Sequence, residues 1–140
     1  MRTTSMHTSR FGEIRYTPDE VIHFAKGLIG LEHHRHWLLL AESATTRLGW
    51  LQAADAPETA LAVVNPHSFV PEYRLTFVRG DLSGLELADS RYVVSLAVVT
   101  RDARGAGLNL RAPILLNLAA RRGAQIVSHE SWPVRFPLQP

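Results

Sequence analysis

Apolar residues fall along this chain in short runs, some alternating with polar residues at the period of two that sheet strands show, as in 11–16 and 73–77, and others continuous, as in 37–41, and no stretch sustains a helical period. The runs fall at residues 11–16, 21–24, 37–41, 48–54, 61–64, 73–77, 92–100, 108–112, 114–120 and 125–128. Turn-forming residues separate them. Thr17, Pro18 and Glu20 stand where a helix start places its N-cap, its first residue and its third, but no apolar period follows, so 17–20 is read as one turn between two strands. Gly27 and Gly30 punctuate a loop, and 55–58 is a turn by composition. Asn65-Pro66 ends a strand, because the residue before proline is held extended and proline has no N–H to donate. The best short helix is 81–88, with Leu82 and Leu85 inward and Gly84 weakening it. Arg121-Arg122-Gly123 reads as a hairpin turn with glycine at the left-handed position, and 129–140 as an extended tail.

The most informative run is 108–117. Alternation puts Leu108, Leu110 and Ala112 on one face and Asn109 and Arg111 on the other. Pro113 interrupts it and marks a bend, a bulge or a strand start, since it cannot serve a central ladder position. Eight to ten short strands at fairly even spacing predict an all-β fold, a sandwich or small closed barrel. The fold class expected is therefore mainly all-β: a small antiparallel β-barrel-like domain with at most one or two short helical turns. Residues 1–10 are expected as a flexible N-terminus and 11–138 as the single β-barrel-like domain.

Composition narrows the chemistry. A chain of 140 residues buries enough surface to fold without a metal or disulfide staple, and with no cysteine it has neither a thiol nucleophile nor a thiolate metal site. The opening residues lack the apolar core of a secretion signal, and every apolar run is far shorter than the about 20 residues that span a bilayer. A cytoplasmic protein with no membrane partner is expected. The net charge is only +2, but Lys26 is the one lysine beside fourteen arginines. Arginine suits bidentate contact with carboxylate or phosphate, although a GC-rich genome gives the same bias.

Candidate chemical groups are few. His33, His34 and His36 are close in sequence, but a strand would split them between two faces, and no metal is expected. Glu13, Asp19, Glu20 and Asp55 show no spacing that argues for a catalytic carboxylate pair, and no serine sits in a Gly-x-Ser-x-Gly elbow. Gly27-Leu28-Ile29-Gly30 lacks the lysine and hydroxyl of a phosphate loop. No cofactor and no enzyme activity are expected. Arg101, Arg104, Arg111, Arg121 and Arg122 would form a basic patch if they converged, with Trp132 and Phe136 to stack bases. Single-stranded RNA binding by a small barrel is the alternative function, and a metal-dependent enzyme built on the histidines a distant third.

Motifs spread from residue 11 to 138 resemble the FliW family of flagellar assembly factors. The first is Phe24-Ala25-Lys26-Gly27-Leu28-Ile29-Gly30-Leu31-Glu32, with Ala25 and Ile29 where the family pattern has prolines. Then come Leu51-Gln52-Ala53-Ala54-Asp55-Ala56-Pro57, with Ala53 for a usual serine, and Ala62-Val63-Val64-Asn65-Pro66. The third runs from Asn109 through Pro113 to Asn117, followed by Gly123-Ala124-Gln125-Ile126-Val127 and by Arg135-Phe136-Pro137-Leu138. The resemblance implies a non-enzymatic regulator, with chaperone character toward flagellin, that binds two partners. One is CsrA, the basic dimeric repressor of flagellin translation, and the other is flagellin. No direct nucleic-acid contact is implied, and a monomer is expected for the protein alone. Gln52, Asp55, Asn65, Pro66, Asn109, Pro113 and Asn117 carry the signature, and Phe69 and Val70 form an apolar loop tip suited to direct contact.

Overall fold

The computed structural model describes residues 2–41, 48–76, 79–86 and 93–138. Among these residues ten strands follow one another: β1 (Thr4–Thr8), β2 (Gly12–Tyr16), β3 (Ile22–Phe24), β4 (His36–Ala41), β5 (Leu48–Ala53), β6 (Ala60–Val64), β7 (Val93–Asp102), β8 (Gly105–Asn117), β9 (Arg122–Gln125) and β10 (Phe136–Pro137). β3 to β8 pair with their sequence neighbours, all antiparallel. β9 then closes the ring, parallel to β3 on one side and antiparallel to β8 on the other. Seven strands thus form a closed barrel, and the helical content of the described residues is limited to short 3₁₀ turns. Closure leaves no open edge within that ring, and β10 pairs with the stretch of β8 that β9 does not reach.

The barrel interior holds Ile22, Phe24, Leu28, Trp37, Leu51, Ala53, Val63, Ile114 and Leu116. These are the alternate positions of their strands, as period-two patterning requires. A second apolar cluster (Val64, Val70, Tyr73, Ala97, Leu108 and Leu110) lies apart from the first, under the loop after β6 and the C-terminal tail. A third is Leu85, Leu115 and Ile126, beneath the 3₁₀ turn Arg79–Leu85.

Pro113 explains how one strand serves two of these clusters. β7 and β8 pair in register from Val93↔Asn117 to Leu96↔Ile114, and again from Val98↔Asn109 to Asp102↔Gly105. Between the two stretches β7 supplies only Ala97, while β8 supplies residues 110–113. The slip is an odd number of residues, so the face of β8 turned inward changes. Leu108 and Leu110 therefore face the second cluster, and Ile114 and Leu116 fill the barrel. The expected interruption at Pro113 is a bulge within a single 13-residue strand, not a break between two.

Other elements depart from expectation for specific reasons. Residues 4–8, expected to be loose, form β1, where Met6 sits opposite Ile14 of β2. Tyr73 to Thr76 form no strand despite their alternation, because their carbonyls are taken singly. His67 Nε2 lies 3.0 Å from the Tyr73 carbonyl, Trp132 Nε1 donates to that of Arg74, and the His129 N–H to that of Thr76. Phe77, Leu87, Ala88 and Tyr92 lie outside the described residues. The turn before β9 occupies 118–121, and its left-handed residue is Arg121 (φ 54°), not Gly123. Gly123 is a glycine for another reason. A Cβ there would come within 2.3 Å of the Phe24 ring. The turn at 17–20 is as expected: the Thr17 N–H donates to Glu20 Oε1 at 2.9 Å in a capping box.

Candidate functional site

The nine residues singled out in the sequence do not converge on one cleft. They fall into three groups, and most of their polar atoms are engaged with nearby backbone.

The first group is the turn between β5 and β6, beside the loop that leads into β4. Gln52 is fully buried, and its Nε2 donates to the carbonyls of Ala53 and Ala56, both at 3.1 Å, and of Pro57 at 3.4 Å. It holds the 53–57 turn in shape, while its Oε1 is buried without a hydrogen-bond partner. Asp55 is exposed and lies 3.0 Å from His34 Nδ1, and the His34 carbonyl accepts from Trp37 Nε1 at 2.8 Å. This turn is a brace for the loop before β4.

The second group joins the loop after β6 to the β8 bulge. Asn65 Oδ1 accepts from the His67 N–H at 3.0 Å, and buried Pro66 begins a 3₁₀ turn. Tyr73 follows, with its hydroxyl donating to the Leu110 carbonyl at 2.7 Å. That carbonyl belongs to the bulge, so Tyr73 straps the loop onto it. Burial pushes the Tyr73 phenol up to about 12, which keeps it a donor. Its ring meets Trp132 edge-on at 5.0 Å, and the Trp132 carbonyl accepts from Arg111 Nε at 2.7 Å. Asn109 Oδ1 accepts from the N–H groups of Arg111 and Ala112, both at 3.1 Å, which fills the inside of the bulge. The apolar tip is divided. Phe69 is 40% exposed, whereas Val70 is 1% exposed and belongs to the second cluster, so Val70 offers nothing to a partner in this conformation.

The third is Asn117 at the far end of β8. It is buried, and its Nδ2 donates to the Leu85 carbonyl at 2.8 Å, which ties the 3₁₀ turn to the barrel wall.

The arginines do not converge. Arg101 and Arg104 sit at the β7–β8 hairpin tip, and Arg121 and Arg122 at the opposite end of the same ribbon. A 13-residue strand puts those ends roughly 40 Å apart. Arg104 Nη2 donates to Asp102 at 2.7 Å and Arg135 lies 3.4 Å from the same carboxylate. The Asp102 carboxyl is held down to about 2 by its hydrogen bonds from Arg104. Trp132 and Phe136, the expected stacking pair, pack against the second cluster.

Among the described residues no group of three or more His, Asp or Glu side chains is placed to hold a metal ion, and no helix is long and apolar enough to cross a membrane. The histidines regroup in an unexpected way. His34 turns to Asp55, while His36 pairs with His23, whose Nδ1 lies 3.3 Å from His36 Nε2. His23 is the outward residue between buried Ile22 and Phe24, and His36 the outward residue before buried Trp37. What the described surface offers a macromolecule is a stiff outer wall with isolated exposed apolar side chains: Ile29, Leu39, Phe69, Val94, Val127 and Val134.

Comparison with known proteins places this architecture. Residues 5–138 match the model of the FliW protein family. A flagellar assembly factor FliW of Natranaerobius thermophilus is 33% identical over 142 aligned positions, covering 99% of this chain and 92% of the relative. That of Bdellovibrio bacteriovorus is 32% identical, over 89% of this chain and 72% of the relative. A crystal structure of a flagellar assembly factor FliW superposes with a TM-score of 0.90 over 98% of both chains at 22% identity, so the barrel itself is shared.

Proposed function

The chain belongs to the FliW family of flagellar assembly factors, and from that premise we propose that it works as a partner switch between the translational repressor CsrA and flagellin. With little flagellin present, it occupies CsrA and flagellin translation proceeds. Accumulating flagellin takes it away, CsrA returns to the message, and export of flagellin resets the balance. The chain makes and breaks no covalent bond in this cycle. The observation that carries the reading is the family match across residues 5–138.

The geometry supports a docking role in two ways. The signature side chains hold turns and the β8 bulge, so the surface is preformed and loses little freedom on binding. Exposed Phe69 stands on a loop fixed at both ends, a suitable aromatic anchor. A patch of about 800 Å² per partner is enough for such a contact. Competition then follows relative affinity and concentration, with about 1.4 kcal/mol for each tenfold change in occupancy ratio.

Capture experiments with the purified chain, CsrA and flagellin test this. Each partner is expected to be retained alone at micromolar concentration, and saturating flagellin to lower CsrA capture. Retention of neither, or a stable complex of all three, would overturn the switch.

A further inference from the structure

Three positions distant in sequence form one row across the barrel wall. His23 of β3 is the register partner of His36 on β4 and of Arg122 on β9. In-register neighbours project to the same side, here outward, since Ile22, Phe24, Trp37 and Gly123 beside them are all buried. The row lines an open cavity of about 690 Å³ whose walls include Arg121, Asp19, Val21 and Leu118.

The charges around this cavity are nearly even until the imidazoles gain protons. Arg122 of β9 and Arg121 of the turn before it flank His23, Arg35 precedes His36 on the β4 side, and the turn before β3 brings Asp19 and Glu20. Arg122 reaches Glu86 at 3.4 Å, Asp19 is hydrogen-bonded to Thr17, and Glu20 is engaged with the N–H of Thr17. The three arginines thus face about as many carboxylates while the imidazoles are neutral. Protonating His23 and His36 adds two positive charges 3.3 Å apart, and neither ring forms an ion pair with a carboxylate among the described residues. Aligned like charges on neighbouring strands destabilise a sheet, so an arriving anion is worth most in that state. Burial, then His36, Arg122 and Arg35, hold the imidazole of His23 below its ordinary range.

We propose that the His23–His36–Arg122 row is a proton-gated carboxylate site, taking acidic side chains of a polypeptide partner in mildly acidic solution and releasing them at neutral pH. Two features select a carboxylate. Asp and Glu remain ionised through the range in which imidazoles acquire charge. The largely polar lining includes Val21 and Leu118, suited to a methylene stem, and presents no flat aromatic surface for a base other than the imidazoles themselves. The site needs only charge, so it stands whether or not CsrA and flagellin are the partners.

The test is an NMR titration of the whole chain with hexaglutamate, beside hexauridylate and inorganic phosphate, at about pH 5.5 and about pH 7.5. Hexaglutamate is expected to move the His23 and His36 ring resonances at the lower pH and to bind at least tenfold tighter there. Arg122→Gln should weaken binding at both values, and His23→Gln with His36→Gln should abolish the pH dependence. Unmoved ring resonances at the lower pH, or equal affinity at both, would overturn the gate. Tighter binding of phosphate or of the oligonucleotide would overturn the carboxylate assignment.

Discussion

The β8 bulge and the β3–β4–β9 face lie on the same barrel and handle polar groups in opposite ways. At the bulge, the irregular backbone is met by side chains: Asn109 accepts from two of its N–H groups, Tyr73 donates to the Leu110 carbonyl, and Gln125 Nε2 donates to that of Ala112 at 2.9 Å. On the face, the backbone is regular and the side chains are the unsettled part, with His36, His23 and Arg122 abreast. The contrast separates two meanings of a distinctive residue. A signature asparagine or proline at the bulge is there because the chain must change the side it buries. A histidine on a regular wall has no such structural duty, and its chemistry is available to a ligand.

Three measurements sharpen or break that contrast. The largest effect is expected at the seam beneath the face. Gly123→Ala drives a Cβ into the buried Phe24 ring, and should cost about 3 kcal/mol in denaturant unfolding. Phe24→Leu in the same chain should recover part of that loss, and simple additivity of the two changes would argue against the contact as the cause. At the bulge, Tyr73→Phe leaves the Leu110 carbonyl without its hydroxyl donor, and about 1.5 kcal/mol of stability should be lost. An unchanged unfolding midpoint would mean the strap is dispensable. The smallest effect is on the face. The folded state binds a proton at His23 less readily than the unfolded chain does, so stability should be level above about pH 6.5 and decline as pH falls through the range below it. His23→Gln should flatten that slope. A slope unaltered in the variant would place the acid sensitivity elsewhere.

The same contrast governs what could be read from the sequence. Strands β2 to β8 were visible as short alternating or continuous apolar runs, and the fate of Pro113 followed from its missing N–H. Alternation misled at 73–76, because a loop can bury Tyr73 and expose Arg74 while giving its carbonyls to Trp132 and His129 in place of a ladder. It also hid the swap of faces within β8, since even-numbered leucines continue through the bulge while the wall turns around them. Val70 looked like a loop tip and is core, because the turn begun at Pro66 folds it back, with its N–H on the Pro66 carbonyl at 2.8 Å. The histidine row was beyond sequence reading: positions 23, 36 and 122 become neighbours only once β9 lies between β3 and β8.

That late arrival of β9 has a consequence for biosynthesis. A nascent chain emerging from the ribosome exposes Ile22–Phe24 long before Arg122–Gln125 exists to lie beside it. Until then the hairpins made earlier carry open flanks, the kind of surface that pairs with other chains. Those four residues act as the keystone, and a transcript truncated before them would yield a sticky intermediate in place of a finished ring.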